Sequence, residues 1–274
     1  MMIERRYKGA RKPLKKALSE LFPEITYSEL QACLRRRDVK VDGARASSDS
    51  FLIGEGAVVA IYPRTKRELT VLYENEDILA CYKPKGIASE GEASFESWVR
   101  AAKGDVRLTH RLDTNTDGVI LFAKSEEAYQ EIYSAMKEGL ITKRYLAEVY
   151  GHPPKGKDIL LEYYYQKDAE KGRASISDTP KHGYLPVHIS YTLLEEKKDS
   201  SLLLVELHKG KTHQIRAMLA HYGYFILGDG KYGSDRVNRE LGVKKTLLTA
   251  ISLSFSFHQH SPLAYLNEVE ISLK

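Results

Sequence analysis

Residues 106–124 read VRLTHRLDTNTDGVILFAK, in which a polar segment from His110 to Gly118 separates two stretches that look like strands. Polar residues followed by a glycine are typical of a loop at the end of a strand, where proteins commonly display reactive side chains. On an extended backbone Arg111 and Asp113 would point to the same side. The segment therefore offers either a structural ion pair or a reactive carboxylate, and the rest of the chain has to decide between them.

The chain around this segment consists mainly of strand patterns with a few helices. Further candidate strands are LTVLYENEDILACYK (69–83), KRYLAEVYG (143–151), DILLEYYYQ (158–166), VHISYTLLEE (187–196), SLLLVELHKG (201–210), LLTAISLSFSF (247–257) and YLNEVEISL (265–273). Helical spacing is found at 94–103, at 125–139 with Ser125 as N-cap, and from Thr212 onward. This mixture predicts an α+β fold for 70–274, with helices flanking a large mixed, mainly antiparallel β-sheet.

Residues 13–62 predict a small N-terminal α/β domain. Leu14, Ala17, Leu18 and Leu21 have helical spacing, and Thr26 with Glu29 predicts a capping box that opens a second helix. Alternating valines, an Asp-Gly turn at 42–43 and AVVAIY (57–62) predict a small sheet. We expect residues 1–12 to form a basic tail and residues 63–69 to form a linker.

Positive charge is concentrated at this end of the chain. The whole sequence of 274 residues has 42 Lys+Arg and 37 Asp+Glu, a net charge of +5. Seven cations lie within residues 1–16, and a second basic cluster comprises Arg35, Arg36, Arg37 and Lys40. Such a pattern favours a polyanionic partner, since contacts to phosphates release condensed counterions. A solvated basic face without a partner is the alternative for the charge alone.

Several classes of protein are not expected. The apolar runs are far shorter than the ~20 residues that span a bilayer, and no apolar stretch follows the basic N-terminus as in a secretory signal. Cys33 and Cys81 are too few for a disulfide framework, which favours a reducing, cytoplasmic location. The sequence has no phosphate-binding loop, no dinucleotide-binding glycine motif and no CxxC pair. We therefore expect any enzyme here to work with side chains alone, without a metal or other cofactor. We expect a monomer because the sequence has no long apolar stripe left to pair with a second copy.

Four blocks, in order, carry a family resemblance. HRLDTNTDG (110–118) resembles the H-R-L-D-x-x-T-S-G signature of RluA-type pseudouridine synthases. VLYENEDILACYKPKG (71–86), KRYLAEVYG (143–151) and KGKTHQIRAMLAHYGYFILGDGKYG (209–233) resemble the family's other motifs. LKKALSELFPEITYSELQACLRRRDVKVDGARA (14–46) resembles the small RNA-binding module that several RNA-modifying enzymes of this kind carry.

The resemblance implies an isomerase that converts uridine in RNA to pseudouridine. It maps the catalytic aspartate onto Asp113, the base-stacking tyrosine onto Tyr145 and the cation that pairs with the aspartate onto Lys211. It also implies RNA contacts. These are assigned to Arg111, Leu248 and Arg216 in the larger domain and to Arg35, Arg36, Arg37 and Lys40 in the small one. Ribosomal RNA of the large subunit is favoured over transfer RNA.

The proposed chemistry needs a single carboxylate. The reaction breaks the N1–C1′ bond and rejoins the uracil through C5 without redox change or net hydrolysis. Asp113 would either attack the nucleotide or act on a glycal-like intermediate, and an adjacent cation would keep it ionised. The uridine must leave its stack, and an aromatic face such as that of Tyr145 returns part of the cost.

Two departures from the family pattern and three rival interpretations accompany this hypothesis. Lys211 stands where the family usually has arginine, and Asp117 replaces a serine, so that a second carboxylate close to Asp113 would disfavour its ionised form.

A glycosidase that pairs Asp113 with Asp117 would release a free base. A non-catalytic RNA-binding protein would leave the uridine unchanged. A metal phosphoesterase built from His110, Asp113, His213 and His221 would lose activity with a chelator. His110 and His213 are otherwise expected to make structural hydrogen bonds, and Asp229 to form a turn.

Overall fold

The structure, a computed structural model, describes residues 2–46, 51–64, 68–91, 94–168, 170 and 172–273. Contacts within the chain divide it into two compact units. The first comprises Met1–Thr70 and Gly86–Val106, and the second comprises Val71–Lys85 and Arg107–Lys274. Of the linker predicted at 63–69, residues 65–67 lie outside the described residues. No helix in the described part of the chain is both long and apolar enough to cross a membrane.

The first unit contains short strands and three helices among its described residues. They are β1 (Ile3–Arg6), β2 (Lys12–Pro13), α1 (Leu14–Leu21), α2 (Tyr27–Arg35), β3 (Val39–Val41), β4 (Ala44–Arg45), β5 (Leu52–Ile53), β6 (Val58–Ile61) and α3 (Phe95–Lys103). An antiparallel sheet has the strand order β1-β6-β3-β4, and β2 pairs with β5. The predicted apolar faces of α1 and α2 are buried, and the Thr26 side chain caps α2 by accepting a hydrogen bond from the Glu29 N–H.

The prediction of a basic tail over residues 1–12 is wrong. Ile3–Arg6 pairs with β6 along its whole length, and the Tyr7 side chain is buried in the core of this unit. Arg5 forms an ion pair with Glu24. Half-buried and exposed side chains alternate along IERR, as they do on the edge strand of a sheet. Counting the positive charges alone did not reveal this alternation.

The second unit is built on one large sheet. Its strands are β7 (Val71–Glu74), β8 (Ile78–Lys83), β9 (Arg107–Leu108), β10 (Asp117–Ala123), β11 (Ile141–Tyr150), β12 (Ile159–Asp168), β13 (Arg173–Ser177), β14 (Leu185–Glu196), β15 (Ser200–Leu207), β16 (Leu248–Phe255) and β17 (Glu270–Ser272). Its helices are α4 (Glu126–Glu138), α5 (Gln214–His221) and α6 (Asp235–Glu240), with a 3₁₀ turn at Ala264–Glu268.

Strand order confirms the predicted fold class. The sheet runs β13-β12-β14-β15-β11-β16-β10-β8-β7, with β17 added to β16 and β9 to β10. β10 and β16 are parallel, whereas β8 with β10, β11 with β15 and β16, and β14 with β12 and β15 are antiparallel. Apolar residues of α4 pack with those of β8, β10 and β16 in one core cluster. The neighbours β11, β16 and β10 form the middle of the sheet, and the candidate site lies along them.

Two local predictions differ from the structure. VRLTHRLD forms only the two-residue strand β9, and the chain from Thr109 to Thr116 is irregular. YLNEVEISL divides into the 3₁₀ turn and β17. In VRLTHRLD, the side chains of Thr109 and His110 form hydrogen bonds with the backbone of β10. These side-chain bonds take the place of the backbone pairing that would extend β9.

Candidate active site

The loop that contains Asp113 is fixed to β10 at its start. Both the backbone N–H and the hydroxyl of Thr109 donate to the Leu121 carbonyl, at 3.1 and 2.8 Å. The Leu121 N–H donates to His110 Nε2 at 3.2 Å. Burial, together with the charge of Lys143, lowers the pKa of His110 to about 3, so that its ring is neutral. The structural role predicted for His110 is therefore confirmed.

Gly118 ends the loop and brings it against β16. Its φ is +123°, and a Cβ atom there would lie 2.0 Å from the Ala250 carbonyl oxygen. This contact explains the glycine, because no side chain fits between β10 and β16 at the level where they pair. Tyr145 of β11 lies opposite Ala250 on the other side of β16. The strand pairing thus brings the Asp113 loop and Tyr145 to neighbouring positions of the sheet.

Tyr145 and Leu248 are both buried on these central strands. Tyr145 is 5% exposed and Leu248, the first residue of β16, is 3% exposed. Burial, with the nearby negative charge of Asp113, raises the pKa of the Tyr145 phenol, which therefore stays protonated. Because so little of the ring is exposed, a base can stack on Tyr145 only after neighbouring side chains move.

One guanidinium joins two carboxylates at the centre of the site. Arg216 Nη1 donates to Asp113 Oδ2 at 2.7 Å, while Nε and Nη2 donate to the two oxygens of Asp229 at 2.8 Å each. The Asp113 side chain is 24% exposed and that of Asp229 is fully buried. Hydrogen bonds between ionised groups are short and strong, and a two-pronged contact also fixes geometry. The arrangement holds Asp113 in one orientation while leaving part of it open to solvent.

Asp229 forms a turn, as predicted, and supports Arg216 as well. Its Oδ1 accepts hydrogen bonds from the backbone N–H groups of Lys231 and Tyr232, at 2.8 and 3.2 Å. Burial alone would raise the pKa of the Asp229 carboxyl. The bonds from Arg216 and from the backbone outweigh burial and hold that pKa below its ordinary value. Asp229 is therefore an ionised structural partner of Arg216.

The prediction that Lys211 pairs with Asp113 is wrong, because Arg216 occupies that position. Lys211 lies exposed before α5, and its backbone N–H donates to Gln214 Oε1. Arg216 lies in the first turn of α5, on a helix that is buried from Gln214 to Leu219, and points into the unit. The RNA contact assigned to Arg216 stays a prediction; the structure shows its guanidinium bound to two carboxylates.

His213 and Tyr232 complete the surroundings of Asp113. His213 Nε2 lies 3.9 Å from Asp113 Oδ1, and His213 Nδ1 lies 3.0 Å from the Tyr232 hydroxyl. The structural hydrogen bond expected for His213 is thus present. Sequence reasoning missed Tyr232, whose ring also lies 5.3 Å from the Arg216 guanidinium carbon. The GDGKYG turn that carries it was the available signal.

Asp117 is held by donors of its own. Tyr82 donates to its Oδ2 at 2.8 Å, Thr249 donates to its Oδ1 at 2.7 Å, and Lys85 Nζ lies 3.5 Å from Oδ1. These partners, and not Asp113, account for the acidic residue at the position where the family pattern has serine. Asp117 thus has hydroxyl donors and a cation of its own.

The four residues of the hypothetical metal centre are used in other ways. His110 accepts from the Leu121 backbone, His221 bonds to Asp178, and His213 bonds to Tyr232. Among the residues that the structure describes, no group of three or more His, Cys, Asp or Glu is arranged to hold a metal ion. The geometry does not support the four-residue metal site.

The predicted RNA-contacting cations differ in their surroundings. Arg111 is exposed on the Asp113 loop, and Arg35 and Arg37 are exposed at the end of α2. Lys40 Nζ lies 5.6 Å from the centre of the Tyr62 ring. Arg36 bonds to Glu29 and Asp38, at 2.9 and 2.8 Å, and its RNA contact stays a prediction.

The chain matches a family of known proteins. The profile of the RNA pseudouridylate synthase family matches residues 77–221, more than half of the chain, and the chain belongs to this family. The ribosomal large subunit pseudouridine synthase C of Rickettsia bellii is 29% identical over 259 residues, which cover 82% of this chain and 83% of the relative. An uncharacterized RNA pseudouridine synthase of Mycobacterium bovis is 32% identical over 206 residues, covering 69% of this chain and 65% of the relative.

Solved structures show the same fold. Human RNA pseudouridylate synthase domain containing 1 superposes with a TM-score of 0.63 at 23% identity, covering 78% of this chain and 86% of that chain. Human RNA pseudouridylate synthase domain containing 4 gives a TM-score of 0.59 at 20% identity, with coverage of 75% and 88%. The chain is therefore an RNA pseudouridine synthase with a mixed, mainly antiparallel sheet, as the motifs predicted.

Proposed function

We propose that this synthase modifies uridines of large-subunit ribosomal RNA, with Asp113 as the catalytic carboxylate, Arg216 as the cation that orients it and Tyr145 as the side chain that receives the flipped base. The observation that carries the proposal is the contact of Arg216 with Asp113 Oδ2 at 2.7 Å. That contact leaves Oδ1 on a side chain that is 24% exposed. A carboxylate fixed through one oxygen and open at the other suits a reaction at a ribose carbon.

The chemistry fits one carboxylate. The N1–C1′ bond breaks, a C5–C1′ bond forms, and the proton lost from C5 is balanced by one gained at N1. No atom is added or removed overall. Asp113 must be ionised to act on the ribose, and the guanidinium of Arg216 lies beside it as a counter-charge, with Nη1 2.7 Å from Oδ2. Asp113 and Arg216 thus provide the carboxylate and the cation that this isomerisation needs.

Uridine must leave its stack to reach Asp113, at a cost of a few kcal/mol. Contact of the base with an aromatic ring returns about 1–3 kcal/mol. Tyr145 and Leu248 lie on neighbouring strands, and both line the sheet beside the Asp113 loop. Opening of the side chains around Tyr145 on RNA binding would give the uracil a ring on one side and an aliphatic side chain on the other.

The choice of ribosomal RNA rests on relatives and on charge. The relative in Rickettsia bellii carries the name of a ribosomal large subunit enzyme. In the first unit, Arg35, Arg37 and Lys40 are cations near the end of α2 and the start of β3, a pattern suited to the phosphates of folded RNA. We therefore propose that the first unit is an RNA-binding module.

Mapping of modified positions tests the function. RNA from cells that lack the protein is incubated with it, and pseudouridines are located by carbodiimide-dependent stops of primer extension. We expect new stops in large-subunit ribosomal RNA with the wild-type protein and with Asp199→Asn, a control at an exposed carboxylate. Asp113→Asn should give none. Stops produced by Asp113→Asn would remove this residue from the mechanism, and stops confined to transfer RNA would overturn the substrate.

A salt titration tests the role of the first unit. The double variant Arg35→Glu/Arg37→Glu should bind the RNA more weakly. Its plot of log affinity against log salt concentration should also be shallower, by about one unit of slope for each phosphate that the variant no longer neutralises. Lys155→Glu/Lys157→Glu, at two exposed positions of the second unit, is the matched control for the same change of charge. Equal slopes for the double variant and the wild type would contradict this role.

A further inference from the structure

The Tyr232 hydroxyl has two hydrogen-bond partners, and one of them is the His213 ring. Its hydroxyl oxygen lies 2.6 Å from the backbone nitrogen of Ala174 and 3.0 Å from His213 Nδ1. The Ala174 N–H is a donor only, so the hydroxyl oxygen accepts that bond. The phenol proton is then available for His213, the second partner of the hydroxyl.

This assignment gives His213 one tautomer. A phenol that donates to Nδ1 requires the lone pair on Nδ1 and leaves the ring proton on Nε2. Nε2 is the atom that lies 3.9 Å from Asp113 Oδ1. In this tautomer an N–H bond faces the carboxylate oxygen. In the other tautomer a nitrogen lone pair would face it, and the two would repel each other.

The backbone holds His213 in place for this contact. Its φ is +58°, an uncommon conformation for a residue with a side chain, and it is the N-cap of α5 without a side-chain capping bond. The ring is therefore directed by its contacts with Tyr232 and Asp113 and is not used to cap the helix. The two oxygens of Asp113 face different donors, Arg216 at Oδ2 and His213 at Oδ1.

We propose that Tyr232 is a positioning residue, which fixes the Nε2–H tautomer of His213 and through it the orientation of Asp113 Oδ1. The inference rests on the proposed role of Asp113 as the reacting carboxylate. At 3.9 Å the N–H group of His213 attracts Oδ1 without holding it in a short hydrogen bond, so that this oxygen stays available to the ribose.

The charges around His213 are consistent with a neutral ring. Burial lowers the pKa of His213; Asp113 and Asp229 raise it, and Arg216 and Lys231 lower it, with a lowered value as the net result. Burial also raises the pKa of the Tyr232 phenol, so that its proton is retained. Both partners are thus in the protonation states that the hydrogen bond requires near neutral pH.

Nitrogen chemical shifts of ¹⁵N-labelled histidine test the tautomer directly. The signal of His213 is assigned by its absence in His213→Gln, and the two ring nitrogens are distinguished by their shifts. We expect Nε2 to carry the proton in the wild type and a shift toward the other tautomer or a mixture in Tyr232→Phe. Tyr184→Phe is the matched control, since the Tyr184 hydroxyl bonds to Ser175, the next residue of β13, at 2.9 Å.

Kinetics separate positioning from simple stability. Tyr232→Phe should lower kcat by roughly three- to tenfold, the effect of removing one neutral hydrogen bond, with KM unchanged. Tyr184→Phe should retain wild-type kcat. A proton on Nδ1 in the wild type, or an unchanged tautomer in Tyr232→Phe, would overturn the inference even if Asp113→Asn is inactive. An active Asp113→Asn would instead overturn the proposed function and leave the tautomer result standing.

Discussion

Asp113 and Asp229 share the guanidinium of Arg216 but are used in opposite ways. Asp229 is fully buried and binds Arg216 through both oxygens, with two backbone N–H groups as further donors. Asp113 is partly exposed and binds Arg216 through one oxygen. The comparison shows that the buried carboxylate fixes the cation and the cation fixes the exposed carboxylate. Both carboxylates contact the same cation. What distinguishes Asp113, the proposed reactive group, is that its second oxygen still has room for a hydrogen bond or a substrate.

Arg216→Lys should affect both sides of this comparison at once, because both carboxylates bind this guanidinium. Lysine keeps the charge but cannot make the fork that binds Asp229 while also reaching Asp113. Removing a hydrogen bond between charged groups costs about 1.5–3 kcal/mol, or roughly a 10- to 100-fold fall in rate. Single-turnover pseudouridine formation and urea unfolding on the same preparation measure the two effects. A lysine variant with wild-type rate would show that orientation of Asp113 is unimportant.

Asp229→Asn should act mainly on stability. It leaves the buried part of Arg216 without its charged partner, and breaking a buried pair in this way costs about 3 kcal/mol or more. The free energy of unfolding, measured with urea, should fall by that order. Asp178→Asn, which alters an exposed carboxylate, is the control and should stay close to wild type. A fall for Asp229→Asn no greater than for this control would mean that Asp229 does not anchor Arg216.

Lowering the pH should weaken the interaction of Asp229 with Arg216. The pKa of Asp229 in the folded protein is below its ordinary value of about 3.9, so the folded state binds its proton less readily than the unfolded chain. Its contribution to stability is therefore complete above about pH 4 and is lost as the pH falls through the lower, folded-state value. The difference in unfolding free energy between wild type and Asp229→Asn should shrink over this range. A constant difference down to about pH 2 would contradict the assignment.

Asp117→Asn should have the smallest effect. Two of the donors to Asp117 are the neutral hydroxyls of Tyr82 and Thr249, and an amide oxygen can still accept from one of them. We expect a decrease of about 1 kcal/mol in unfolding free energy and a change in rate of less than about threefold. A fall in activity comparable to that of Arg216→Lys would bring Asp117 into the chemistry and would revive the hypothesis of paired carboxylates.

Sequence motifs predicted the fold class and several details of the site's surroundings. Helix caps at Thr26 and Ser125 and the glycine at 118 were visible in the sequence because each is a local requirement of the backbone. The sequence patterns also predicted a strand for Tyr145 and a loop at a strand end for Asp113, since such patterns are local.

The partner of Asp113 could not be predicted in this way. Lys211 and Arg216 lie five positions apart in one motif, and only the direction of α5 decides which of them reaches Asp113. Tyr232 contacts His213 and Ala174 across distant parts of the chain, a relation that no local pattern indicates. Strand β1 was missed because three of its four residues are charged, so that its alternation of half-buried and exposed side chains does not show as an apolar pattern.

The central claim is tested most directly by measuring single-turnover rate and unfolding free energy together for Asp113→Asn and Asp229→Asn. We predict that Asp113→Asn forms no detectable pseudouridine, binds the RNA normally and keeps most of its stability, because its side chain is partly exposed. Asp229→Asn should retain measurable turnover and lose most of the stability that the pair provides. Turnover by Asp113→Asn at the wild-type rate would contradict the account.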